Sequence, residues 1–134
     1  PLSPEHPDDE TFEGLLIVRP EGRLFFVNAQ DVSDRIQALV VEQRPRVVAL
    51  DLSRVPDVEY SALQTLMEGE KRWTEAGIVV WFAGMNPGVL EVARRAGLDQ
   101  RLGRERMLFN ARAAIERYQA LQAGGASPPA STPA

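Results

Sequence analysis

The chain has no cysteine among its 134 residues. That removes disulfides, thiolate nucleophiles and cysteine-based metal sites, and it fits a reducing compartment. It has one histidine, His6, set among acids and prolines. Because this one histidine lies in the linker-like start, a Ser-His-Asp triad is excluded; His6 reads as a solvated side chain in preference to a metal ligand with its neighbouring acids, since no second histidine and no cysteine accompany it, and it receives no role. No apolar run approaches the roughly 20 residues that cross a bilayer, and no signal-peptide pattern precedes the first strand, so this piece is expected to be soluble by itself. The formal net charge is −4 with no evident basic face, which argues against a nucleic-acid partner. Neither G-x-x-x-x-G-K-[ST] nor G-x-G-x-x-G occurs; nucleotide binding is therefore unsupported by any motif, and Gly84 and Gly88 read as turn glycines. The chain opens at Pro1 and not Met, so a larger polypeptide is expected to precede it.

What is present suffices for a single core: 44% of the residues are apolar. The proline- and acid-rich start cannot bury much surface, and residues 1–11 read as a flexible acidic linker. The domain is expected over residues 12–122. The low-complexity end, from Gly124-Gly125 to Ala134, gives a disordered tail over residues 123–134.

Within the domain, Leu15–Val18 and Leu24–Val27 are short apolar runs joined by Arg19-Pro20-Glu21-Gly22-Arg23, which predicts a β-hairpin. Val32, Ile36, Leu39 and Val40 recur at helical spacing and predict a helix over residues 29–42, stopped by Pro45. Val47–Leu50 and Ile78–Ala83 read as strands buried on both faces. Between them a helix over 61–75 carries Leu63, Leu66, Met67 and Trp73 and closes at Gly77. Asn86-Pro87 opens a third helix that Gly97 ends. A weak strand at 107–109 and a helix over 110–121 complete an order of β-β-α-β-α-β-α-β-α, an α/β fold with a mixed sheet flanked by helices. Arginines 94, 95, 101, 104 and 106 read as a solvated basic face, or alternatively as a contact for acidic lipid headgroups or a partner.

The most informative stretch runs from Asp51 through Ser53, Asp57, Glu59 and Tyr60 to Ser61, from the carboxyl end of a strand into a helix, where ligand crevices tend to form. Two readings of Ser61 stay open. It caps the helix, the ordinary role of serine there; or it accepts a phosphate, which the free N–H groups and positive dipole end of the helix would stabilise. Asp51 likewise either holds the loop by hydrogen bonds or binds a ligand. No catalytic set assembles, so neither enzymatic activity nor a cofactor is expected.

The hairpin, then Val47-Val-Ala-Leu-Asp-Leu-Ser53, then Glu59-Tyr-Ser-Ala-Leu63, resembles the STAS family (sulfate transporter and anti-sigma factor antagonist) over nearly the whole core. Within the family, Gly14 to Ala29, with its Phe25-Phe26-x-Asn28-Ala29 element, is most similar to the domain that follows the membrane portion of SulP anion transporters. That resemblance implies a non-catalytic regulatory domain on the cytoplasmic side of the membrane. It would act on assembly, trafficking or transport rate, with the transmembrane portion of its parent, other cytosolic proteins or a second copy as partners. The alternative it implies is a free-standing anti-sigma factor antagonist switched by phosphorylation of Ser61. This chain departs from the antagonists' Asp-Ser-Ser-Gly loop, with Glu59 for the Asp, Tyr60 for a small residue and Ala62 for the Gly.

Overall fold

Val47–Asp51 (β3) and Val79–Ala83 (β4) are buried at every position and pair in parallel, Val47 opposite Val79 and Asp51 opposite Ala83. Continuous apolar runs of this kind suit strands covered on both faces. The computed structural model describes residues 9–124. Among them the sheet has the order β1-β2-β3-β4-β5. Glu10–Phe12 (β1) runs antiparallel to Leu15–Val18 (β2), and β2, β3, β4 and Met107–Leu108 (β5) are parallel.

Because each parallel strand lies beside its predecessor, right-handed crossovers place every connecting helix on the same face. Those helices are Phe26–Gln43 (α1), Tyr60–Glu75 (α2) and Pro87–Ala96 (α3), followed by the short Leu98–Leu102 (α4) and a 3₁₀ turn at Arg104–Arg106. They cover Leu16, Val18, Val48, Leu50, Val80 and Phe82. The opposite face, with Leu15, Ile17, Val47, Ala49 and Trp81, needs a separate cover. Ala111–Ala123 (α5) supplies it through Ala114 and Tyr118. Each fully buried Leu or Phe in these layers contributes about 1.5–3 kcal/mol.

The predicted α/β class and the order of elements hold, but the hairpin lies one strand earlier than expected. Leu24–Val27 is not a strand: Leu24 makes a single parallel bridge to Val58, and α1 starts at Phe26. Asn28 decides this locally. Its Oδ1 accepts the Phe25 N–H at 2.7 Å and its Nδ2 donates to the Arg23 carbonyl at 2.7 Å, fixing the helix start. The true partner of β2 is β1, inside the stretch expected to be linker. Asp9 is buried there; its carboxylate accepts the Arg19 N–H at 3.0 Å and pairs with Arg35 Nε at 3.1 Å. Residues 9–11 therefore belong to the folded unit. His6, the rest of the expected linker and the tail beyond Gly124 lie outside the described residues.

The basic cluster after α3 is not uniformly a solvated face. Glu70 of α2 is fully buried, and Arg101 grips it with Nε on Oε1 and Nη2 on Oε2 at 3.2 Å. Thr74 Oγ1 donates to the same carboxylate at 2.6 Å, and Arg106 Nη1 approaches it at 3.8 Å. Arg106 also donates Nε to the Leu102 carbonyl at 3.0 Å and Nη2 to the Arg101 carbonyl at 2.6 Å. Burial lowers the Arg106 pKa, and Glu70 offsets part of that. The cluster thus fastens α4 and the 3₁₀ turn to α2.

Candidate functional site

The loop from Asp51 to Tyr60 leaves the carboxyl end of β3 and is pinned on three sides. Leu52 N–H donates to the Ala83 carbonyl at 2.8 Å, and Asn86 Nδ2 donates to the Pro56 carbonyl at 3.1 Å. Gly22 N–H reaches the Arg54 carbonyl at 3.0 Å, Leu24 N–H the Asp57 carbonyl at 2.9 Å, and Glu59 N–H the Leu24 carbonyl at 2.9 Å. Leu52, Val55 and Val58 point into the core, so the loop alternates buried anchors with exposed polar residues. These bonds set the starts of α1 and α2 side by side, with Phe25 capping one and Tyr60 opening the other.

Asp51 is buried and committed. Its Oδ2 accepts Arg19 Nε at 2.7 Å and its Oδ1 accepts the Ser53 N–H at 3.0 Å. Burial of the Arg19 guanidinium works against its charge, but the hydrogen bond and ion pair to Asp51, reinforced by Glu10, outweigh it and raise the pKa. Gly84, with φ of 72°, closes the pocket around this pair; a Cβ there would lie 2.6 Å from Asp51 Oδ1. Of the two readings of Asp51, the loop-holding one describes its contacts. Arg19, which supplies that charge, was not singled out by sequence. Its position immediately after a fully apolar strand was the available signal.

Asp57 pairs with Arg23 at 3.0 Å, both side chains being well exposed. A pair in that setting adds little stability. Glu59, Tyr60 and Ser61 are exposed at the start of α2. No side chain caps this helix: Glu59 occupies the N-cap position without a capping bond, and Ser61 falls in the first turn. It is engaged through its backbone, the Ser61 carbonyl accepting Thr65 Oγ1 at 3.2 Å. Tyr60 is 44% exposed, and Phe25 and Phe26, at the start of α1, are 45% and 56% exposed. Three solvated aromatics at two helix starts, joined through the Glu59 N–H to Leu24 carbonyl bond, are unusual for a surface with no partner. The expected residues thus divide. Asp51 and the Ser53 backbone build the loop, whereas Glu59, Tyr60 and Ser61 present themselves together next to two phenylalanines first read as strand residues.

Chemically, this rim offers the Ser61 hydroxyl, the Tyr60 phenol, the first-turn amide N–H groups of α2, carboxylates and aromatic rings. Among the described residues no group of three or more His, Cys, Asp or Glu is placed to hold a metal ion.

Comparison with known proteins agrees with this geometry. Residues 6–117 match the family model described as STAS domain. A probable sulfate transporter 4.2 of Arabidopsis thaliana is 26% identical over 112 residues, covering 75% of this chain but 16% of that protein. The SulP transporter STAS domain from Vibrio cholerae superposes with a TM-score of 0.69 at 24% identity, over 85% of this chain and 88% of that one. An anti-sigma factor antagonist from Mycobacterium paratuberculosis gives 0.67 at 19% identity, over 85% and 91%. With more than half its length matched by the family model, a buried Asp51 loop and the exposed start of α2 in place, the chain belongs to the STAS domain family.

Proposed function

We propose that this chain is the non-catalytic cytosolic regulatory domain of a SulP-type membrane anion transporter, acting through protein contacts that influence assembly, trafficking or transport rate. The observation that carries this reading is the exposed aromatic rim of Phe25, Phe26 and Tyr60, a surface suited to a partner and lacking catalytic groups. The likeness to a sulfate transporter of which the chain spans 16% supports it, since such a domain accompanies a much longer membrane polypeptide. Among the described residues no helix is long and apolar enough to cross a membrane, so the pore would lie elsewhere in the parent. The test is anion uptake by the parent in vesicles, carrying the double substitution Phe26→Ser and Tyr60→Ser. Uptake or surface abundance falling several-fold while the isolated domain melts normally supports the reading; unchanged uptake and abundance refutes it.

A second reading, a free-standing antagonist switched by phosphorylation of Ser61, draws on the absence of a side-chain cap on α2 and on the exposure of that serine. Mass spectrometry after incubation with an anti-sigma serine kinase decides it. A stoichiometric phosphate on Ser61 favours the switch, and an unmodified chain removes it.

A further inference from the structure

The exposed aromatic rim carries unpaired charge of one sign. The parallel bridge between Leu24 and Val58 sets the two N-cap residues, Phe25 of α1 and Glu59 of α2, at neighbouring positions, so a carboxylate stands among the rings. Val27, 63% exposed, extends the apolar surface along α1. Residues 27, 31 and 34 recur at spacings of four and three, the pattern of one helix stripe, so the exposed Asp31 and Asp34 continue that surface over the next two turns.

The ionisable groups at this end sort into pairs and a remainder. Arg54 Nη1 meets Glu21 Oε1 at 2.7 Å and Arg23 Nε meets Asp57 Oδ2 at 3.0 Å, so those four cancel. Arg19 is held by Asp51 and Glu10, and Arg35 by Asp9. Arg72 of α2 reaches Ser33 Oγ at 3.4 Å, next to Asp34, and offsets that acid. The loop that meets this one through Asn86, residues 84–88, bears no charged side chain. What remains is Glu59 and Asp31. The two helix N-termini return about half a positive charge each, so two carboxylates against roughly one positive charge leave the rim near −1, with the carboxylates outermost.

We infer that the rim receives an arginine- and lysine-bearing amphipathic protein segment, its apolar side chains on Phe25, Phe26 and Val27 and its cations on Glu59 and Asp31. Arginine suits this surface best, because its guanidinium plane stacks on Phe and Tyr rings and its fork matches a carboxylate. An acidic rim repels an anionic lipid leaflet, which sets a protein segment above a membrane surface as the occupant. The inference rests on the transporter reading and sharpens it, since the cytoplasmic loops of membrane proteins are rich in Lys and Arg.

The probes are two synthetic peptides of about 14 residues, four helical turns, that share one leucine stripe and differ only in carrying Arg or Glu at the polar positions. In a ¹⁵N-NMR titration of the full chain, the Arg peptide should give saturable shifts at residues 25–34 and 57–61, with a dissociation constant on the order of 100 μM that weakens several-fold from low to physiological salt. The Glu peptide should bind at least about ten-fold more weakly. The double variant Asp31→Lys and Glu59→Lys should reverse that preference, a thermal melt confirming that it is folded. Phe26→Ser with Tyr60→Ser should weaken both peptides. Equal binding of the two peptides, no binding of either, an Arg preference that survives the charge reversal, or shifts mapping elsewhere would each overturn the inference. So would cosedimentation of the chain with phosphatidylserine-containing vesicles when the Arg peptide fails to bind. The transporter reading fails separately, on unchanged anion uptake by a parent carrying Phe26→Ser and Tyr60→Ser; uptake lost there without an Arg preference at the rim removes the partner assignment alone.

Discussion

Tyr118 Oη donates a 2.7 Å hydrogen bond to the carbonyl of Glu13, 105 residues earlier, and in doing so lies where a Cβ on Gly14 would have to be, 2.1 Å away. The contact seats α5 on the β1–β2 turn. The Gly14 carbonyl in turn accepts the N–H groups of Arg46 and Val47 at 2.8 and 3.0 Å, so one turn joins the hairpin, β3 and the last helix. Gly14 has φ of 84°, so alanine there meets both backbone strain and the phenol. Gly14→Ala should cost about 2–4 kcal/mol and Tyr118→Phe about 1 kcal/mol in urea unfolding. The double variant should be less unstable than the sum by about 1 kcal/mol, because the hydroxyl that alanine strikes is gone. Strict additivity would disprove the steric link.

The buried Glu70 should behave as one member of a charge group and not as a freestanding acid. Glu70→Ala leaves Arg101 and Arg106 without their shared carboxylate and should cost about 3–5 kcal/mol. Replacing all three as Glu70→Leu, Arg101→Met and Arg106→Met should recover most of that, since an apolar cluster of similar volume avoids the desolvation of three charges. Chemical denaturation of both variants checks this. A triple variant no more stable than Glu70→Ala would mean that the charges themselves hold α4 in place.

Asn28 closes the start of α1 with two hydrogen bonds, one to the Phe25 N–H and one to the Arg23 carbonyl. Asn28→Ala should therefore cost about 1–2 kcal/mol, toward the upper end for a helix cap. Phe26→Ser, at an exposed position of the same turn, should stay within about 0.5 kcal/mol of the wild type. If Phe26→Ser proves the more damaging of the two, the aromatic rim is packed in solution and not free for a partner.

These residues also explain what the sequence discloses and what it hides. The strands at 47–51 and 79–83 and the helices around Trp73 and after Asn86 are legible because apolar spacing and caps agree; the Asn86 and Asn110 side chains do accept the Val89 and Ala113 N–H groups, at 2.8 and 2.9 Å. Leu24 to Val27 misleads because four apolar residues in a row satisfy a strand pattern, and the deciding bond belongs to the next residue, Asn28. β1 stays hidden because an edge strand tolerates acids: Glu10-Thr11-Phe12 shows no apolar run, although it pairs with Leu15–Ile17 directly across the turn at Glu13-Gly14. Glu70 did leave one. Leu63, Leu66, Glu70 and Trp73 follow a 3-4-3 spacing on one helix stripe, so a carboxylate stands on the apolar face and requires a cation. For the candidate site, sequence located the loop and the helix start, but the sorting of Asp51 inward and Ser61 outward emerged only once Arg19 was seen to cross from β2.

Ser61 offers a measurement of the helix end that needs no partner. It lies in the first turn of α2, whose N–H groups no side chain caps, and where the helix carries about half a positive charge. An acidic side chain at this position should therefore stabilise the domain even though Glu59 is close by, because Glu59 leaves the amides unbonded. Ser61→Asp should raise stability by about 0.3–1 kcal/mol at low ionic strength, with the gain shrinking in 1 M salt as the charge is screened. Ser61→Ala, which removes a hydroxyl that caps nothing, should change stability by less than about 0.5 kcal/mol. Thermal melts of the three proteins at two salt concentrations separate the possibilities. A loss of stability in Ser61→Asp would mean that repulsion from Glu59 outweighs the helix field, and a phosphate there would then loosen the start of α2 instead of bracing it.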